Sequence, residues 1–200
     1  MTAVERAFLE ALDRMVQIEQ VRAQIRPVVE RVCAELRRKQ DALMTWEPIP
    51  LPVFGAPLPK EIRSAWVFVL RAGADTGAER HPNSHQRMIT WDGVGDMRIG
   101  SEQPGSEIQW QSNVLINDMQ ASLENRWISI PPNVWHRPVI PKSANWVVVS
   151  FHTVPAAELI EERPEPGRAG ETKQMLYLQP NETVGPNGQW RNQTKYYPAV

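Results

Sequence analysis

The stretch QRMITWDGVGDMRIG, residues 86–100, carries the pattern that decides the fold. Gln86–Trp91 is rich in β-formers, Gly93 and Gly95 interrupt it, and Asp96–Ile99 resumes a period of two, so it reads as strand, turn, strand. Working outward, the same grammar recurs at Ala65–Arg71 (AWVFVLR), Glu107–Trp110, Arg126–Ile130 (RWISI) and Trp146–His152 (WVVVSFH). Turn residues separate these runs at Gly73–Gly77, Pro82–Ser84, Gly100–Gly105 and Pro131–Asn133. Short strands joined by Gly- and Pro-bearing turns, with no helices among them, predict an antiparallel sandwich or barrel.

On the N-terminal side the period changes. Phe8, Leu12, Met15, Ile18, Val21, Ile25, Val28, Val32, Leu36 and Leu43 recur every three or four positions for the most part, which predicts helix over 3–44. Pro27 removes a backbone donor and crowds the preceding turn, so the pattern splits into helices 3–24 and 27–44, or kinks there. The apolar stripe must be covered, and packing on the rest of the same chain is the first expectation. Because the stripe is longer than the side of a small barrel needs, a homodimer joined through helices or sheet edges is a second. From Glu47 to Lys60 the chain is proline-dense, which forces extended backbone and forbids both a helix and a central strand. Residues 155–172 are charged and Pro-rich, Gln174–Leu178 reads as a strand, and order in the tail from Pro180 depends on Trp190, Tyr196 and Tyr197. The chain therefore divides into a helical segment (1–45), a Pro-rich connector (46–60), a β-barrel (61–155) and a C-terminal extension (156–200).

Composition narrows the function. Of 200 residues, 42% are hydrophobic and 22% charged, enough apolar material to bury a core and exclude wholesale disorder. The net charge of −1 provides no broad cationic surface for a phosphate backbone, so nucleic acid is not an expected partner. No run of about 18 apolar residues suggests a membrane span, and the N-terminus lacks the apolar core of a signal peptide. Cys33 is the single cysteine and forms no internal disulfide. A cytoplasmic protein with a small-molecule substrate is the expectation. Gly93 and Gly95 lie between strands rather than before a helix, so they form no phosphate loop. No Gly-x-Ser-x-Gly elbow occurs, and Cys33 falls on a helix with no base nearby in sequence.

All four histidines, His81, His85, His136 and His152, lie in the β region. In Glu79-Arg80-His81-Pro82-Asn83-Ser84-His85-Gln86 the alternation of a strand projects Glu79 and His81 to one side, and the turn at Pro82–Ser84 lets His85 or Gln86 face them. Ile130-Pro131-Pro132-Asn133-Val134-Trp135-His136 ends a strand, turns at its prolines and offers a further imidazole. Imidazoles mixed with carboxylate or amide oxygens suit Fe(II), Mn(II), Ni(II) and Zn(II). His152 reaches the same pocket if the Val148–Ser150 face turns inward. Trp91, Trp127, Trp135 and Trp146 read as core, and Arg87 and Arg98 as outward strand charges or anchors for an anionic substrate.

These residues resemble the two motifs of the cupin superfamily. Glu79-x-His81-x4-Gln86-x6-Gly93 is similar to the first, and Pro131-x-Asn133-x2-His136 to the second, over about residues 64–152. The resemblance implies a mainly β fold, a double-stranded β-helix or jelly-roll barrel, with a metal site in its mouth. The chain departs from the pattern in four places. Glu79 replaces the first motif's leading histidine, Gln86 its glutamate, Asn133 the second motif's glycine, and Ile140 its closing asparagine. Position by position the implied metal ligands are Glu79, His81, Gln86 and His136; the other register uses His81, His85 and His136. In the first, Gln86 as a neutral amide orients a metal-bound water or substrate. Glu79 and His85 are the candidate acid–base residues. The implied activity is a metal-dependent enzyme, with non-haem iron dioxygenase chemistry first and Mn, Ni or Zn as other metals. A cupin lyase or isomerase and a non-catalytic binding barrel are the alternatives. The sulfoniopropionate lyases of this superfamily need a metal-site tyrosine near the first motif, and the chain's tyrosines are Tyr177, Tyr196 and Tyr197.

Overall fold

The computed structural model describes residues 1–55, 58–101, 108–165 and 170–178. Trp190, Tyr196 and Tyr197 of the tail, and Glu107 of one expected strand, lie outside them. Two helices lead the chain, α1 (Ala3–Val16) and α2 (Glu19–Arg38). Among the described residues eleven strands follow: β1 (Met44–Ile49), β2 (Ser64–Leu70), β3 (Gln86–Asp92), β4 (Val94–Ser101), β5 (Gln109–Gln111), β6 (Val114–Ile116), β7 (Trp127–Ile130), β8 (His136–Val139), β9 (Trp146–His152), β10 (Ile160–Pro164) and β11 (Thr172–Leu176). One helical turn, α3 (Leu123–Arg126), precedes β7.

The helices break at Gln17–Ile18 rather than at Pro27, which lies inside α2. The proline deprives the Ala23 carbonyl of its donor, at a cost of about 3 kcal/mol in a helix interior. Both residues are exposed, so water can meet that carbonyl. Burial of Val21, Ile25, Val28, Val32 and Leu36 outweighs the loss, at roughly 1.5–3 kcal/mol each. The second helix also ends sooner than its apolar period suggests. Arg71 donates to the carbonyls of Leu36, Lys39 and Ala42, satisfying groups that a longer helix would have used itself.

A five-stranded antiparallel sheet runs in the order β1-β2-β9-β3-β7. A second sheet runs β5-β4-β6, with β8 also on β4. Strand alternation assigns the first sheet's two faces. Ala65, Val67, Val69, Ile89, Trp91, Val147, Val149 and Phe151 join the apolar stripe of α1 and α2, so the helices are covered by their own chain. Trp66, Phe68, Leu70, Met88, Trp146 and Val148 face the other way and meet Met97 and Leu115 of the second sheet to fill the lumen. Trp91 and Trp127 thus belong to the layer under the helices, whereas Trp146 is a lumen residue.

Strands β1, β6, β8 and β10 have no counterpart in the hydrophobic periodicity. Three of them contain prolines, Pro48 in β1, Pro138 in β8 and Pro164 in β10. The first lies at a sheet edge, where a missing donor is tolerated, so part of the Pro-rich connector is itself a strand, and against expectation Leu51–Phe54 forms a 3-10 turn, with Pro52 in its first turn where no backbone donor is needed. Glycine is required where β3 turns into β4. Gly93 has φ +78°, and a Cβ there would stand 2.4 Å from the Asn145 carbonyl oxygen. At Gly95 a Cβ would lie 2.1 Å from the Trp146 ring, so the indole rests directly on bare backbone.

Candidate metal centre

The two motif segments pair with each other. Glu79 and His136 exchange both backbone hydrogen bonds at 2.8 Å, the narrow arrangement that sets two side chains on one face. The adjoining Arg80 pairs with Glu162 of β10, so residues 79–80 are held from both edges. Two residues on, His81 projects with Glu79, and its carbonyl accepts from the Asn133 amide at 3.1 Å. Asn133 has φ 64°, the left-handed conformation that asparagine tolerates best after glycine. The turn before His136 thus retains the backbone shape that the motif's glycine would supply.

The side chains of Glu79, His81 and His136 each offer a ligand atom, all within 4.8 Å of one another, and all three residues are buried. Each imidazole is oriented from behind. Nδ1 of His81 donates to the Ile160 carbonyl at 2.9 Å, and Nδ1 of His136 to the Val134 carbonyl at 3.1 Å, which leaves both Nε2 atoms as lone-pair donors. His136 Nε2 is buried without a hydrogen-bond partner, 3.4 Å from Glu79 Oε1. The other carboxylate oxygen accepts from Arg163. Burial works to raise the Glu79 carboxyl, but the charge of Arg163 and the nearby His136 override it and hold its pKa at about 2. Burial and the neighbouring His136 push His81 down to about 4, so its ring is neutral at pH 7. An ionised carboxylate and two pre-oriented imidazoles, one of them with an unpartnered nitrogen, fit a divalent first-row metal.

No family model matches the chain, and no curated protein matches it. Among solved structures it is similar to vicilin from hazelnut (Corylus avellana), at 12% identity and TM-score 0.37, over 45% of this chain and 23% of that one. It is similar to an oxalate oxidase in complex with the substrate analogue glycolate, at 15% and 0.41, over 56% and 52%. A third is the Lactobacillus farciminis oxalate decarboxylase formate complex, at 12% and 0.42, over 56% and 29%. The matched region therefore spans about half or less of each of these proteins. What decides the architecture is the chain's own topology, two antiparallel sheets around one lumen with the two motif segments paired to each other. The fold is cupin-like.

The remaining candidates fall on both sides of the cupin-like barrel wall. Gln86 points inward, where its Nε2 donates to Ser150 Oγ at 3.2 Å. Its Oε1 is buried without a partner and lines a cavity of about 20 Å³ with Glu79, Met88, Met97, Phe68 and Tyr177. His152 is also inward, its ring centroid 5.2 Å from that of His81. Both its nitrogens are engaged, with Ser84 Oγ at 3.2 Å and Ser150 Oγ at 3.0 Å, and burial drives its pKa well below the ordinary histidine value. It packs against the centre without offering a donor to it.

His85 is not brought to this group. One residue before Gln86 on an alternating chain, it stands on the helix-facing side, with Nε2 on Ser129 Oγ at 2.7 Å and 3.8 Å from the Glu5 carboxylate of α1. It lines a separate cavity of about 470 Å³ with Glu5, Leu9, Leu115, Trp127 and Ser129. Arg87 meets Glu5 at 2.6 Å, and Arg98 meets Asp96 at 2.9 Å. Neither reaches the lumen.

Sequence reasoning missed what the C-terminal hairpin supplies. Strands β10 and β11 pair with each other and bring in the Ile160 carbonyl, Glu161, Arg163 and then Tyr177. The Tyr177 ring packs 5.5 Å from Trp46, 5.8 Å from Trp66 and 5.8 Å from His81, inside the barrel. The only available signal was the charged run Glu161-Glu162-Arg163 before Pro164, which resembles a solvated segment.

Proposed function

We propose that the chain is a mononuclear metalloenzyme acting on a small polar molecule, with Glu79, His81 and His136 holding a divalent metal, Fe(II) first, for oxygenase chemistry. The observation that supports this is the buried, unpartnered Nε2 of His136 beside an ionised carboxylate and a second imidazole fixed by a backbone carbonyl. Two histidines and one carboxylate with positions left open are the donor set of non-haem Fe(II) oxygenases. Such a metal, when bound, supplies Lewis acidity and, as iron, electrons for dioxygen. The chain's own groups do the rest. Glu79 stays charged and His81 neutral across the physiological range, so neither must lose a proton before binding. Gln86 Oε1 is placed to accept a hydrogen bond from a single water, for which the cavity of about 20 Å³ has room, while Met88, Met97 and Phe68 keep bulk water away.

Tyr177 favours a second reading. The tyrosine that the first motif lacks arrives from the far end of the chain and packs on His81, so a lyase or isomerase that moves a proton without consuming O2 is the alternative. Metal analysis after expression with Fe, Mn, Ni or Zn tests the centre, with one equivalent expected in wild type and loss in His136→Ala. An oxygen electrode with candidate substrates then separates the reactions. A protein that takes up none of the four metals would refute both readings.

A further inference from the structure

Three different nitrogens of Arg163 reach three different acceptors. Nη2 donates to Glu79 Oε2, Nε to Glu161 Oε1 at 2.5 Å, and Nη1 to the Thr76 carbonyl. Glu161 is fully buried, and the Arg163 side chain is 15% exposed, so this fork lies inside the protein wall. A carboxylate on a flexible stem can rotate and offer either or both oxygens to a cation. With Oε2 committed to a planar guanidinium that is itself fixed at two other points, only Oε1 remains directed at His136 Nε2. Arg163 lies outside both motif segments and packs behind the ligand rather than in the space it faces.

We infer that Arg163 is a positioning residue for the centre: it holds Glu79 so that a single carboxylate oxygen joins His81 and His136, and thereby sets the metal affinity. This rests on the reading of that cluster as a metal site. Lysine separates geometry from charge, because it keeps the positive charge but has one nitrogen and cannot span three separated acceptors. Outer groups that orient a ligand typically account for about 10–100-fold in metal affinity.

The test compares wild type with Arg163→Lys by zinc titration against a chromophoric chelator, and by the visible spectrum at saturating Co(II). The expected result is a zinc Kd raised about 10–100-fold and displaced Co(II) bands. A purely structural arginine would lower the melting temperature but leave Kd and bands at wild-type values, and that outcome overturns the inference alone. Wild type that binds neither metal overturns the site reading as well. A measurement that needs no variant is the Arg163 side-chain N–H signal in ¹⁵N NMR. Slow exchange with solvent before and after zinc loading supports the inference, and its release on loading refutes it.

Discussion

Asn133 is where the position of His136 can be tested through the backbone alone. Its φ of 64° is left-handed, its side chain is exposed, and its amide ties the turn to the His81 carbonyl. An ordinary L-residue pays about 1–2 kcal/mol in that conformation because Cβ crowds the following carbonyl oxygen. Asparagine pays less, so Asn133→Ala should cost about 1 kcal/mol and the β-branched Asn133→Val about 2 kcal/mol. Asn133→Gly removes the crowding but adds about 0.5–1 kcal/mol of chain entropy, so it should stay near wild type. For a chain of this length, 1 kcal/mol moves the midpoint by about 2–4 °C. Calorimetry of the metal-free protein should therefore show a fall of about 2–4 °C for alanine, about 4–8 °C for valine and little change for glycine. Zinc affinity should follow the same order, since this turn sets His136 opposite Glu79. If glycine melts as low as alanine, or valine melts with wild type, the backbone account of this position is wrong.

Other outcomes follow from the same structure. Gly95→Ala should destabilise by about 1–3 kcal/mol, because the new methyl collides with the Trp146 ring, and denaturant melts with near-UV circular dichroism will report it. Removing metal from the loaded protein should lower stability by about 2.7 kcal/mol relative to a free metal concentration a hundredfold above Kd. His136→Ala should abolish that difference. Asp13 anchors α1 by accepting from Arg126 at 2.6 Å and from Trp127 at 2.8 Å. Burial works to raise its pKa, but these contacts override it and hold it below the ordinary aspartate value. A depressed folded-state value gives stability that is complete above the unfolded pKa and is lost as pH falls through the folded one. Wild type should therefore weaken steeply below about pH 4. Asp13→Asn, compared at pH 3 and pH 7 in urea, should be less stable than wild type at pH 7 and closer to it at pH 3.

The sequence by itself determined the parts of this protein that depend on local repetition. Near-continuous runs of β-forming residues over 64–70, 86–92 and 146–152 dictate strands buried on both faces, and a period near 3.6 dictates amphipathic helices. Spacing alone placed Glu79 with His81 on one side of a strand. Hydrophobic pattern was silent on β8 and β10, which are short, charged and proline-bearing and are recruited by pairing across 57 and 82 residues of chain, Glu79 to His136 and Arg80 to Glu162.

Tertiary structure alone decided the rest. It broke the helices at Gln17–Ile18, where no residue type signals a stop, and carried α2 through Pro27 because buried valines outweigh one lost donor. It put Gln86 on the lumen face and His85 on the helix face, since neighbours on a strand face opposite sides and only pairing register says which side is the lumen. It also brought Arg163 and Tyr177 to the centre from beyond both motifs. Contacts between residues far apart in sequence leave no periodic trace, because they are selected by the closure of the sheet rather than by the preferences of the residues that make them.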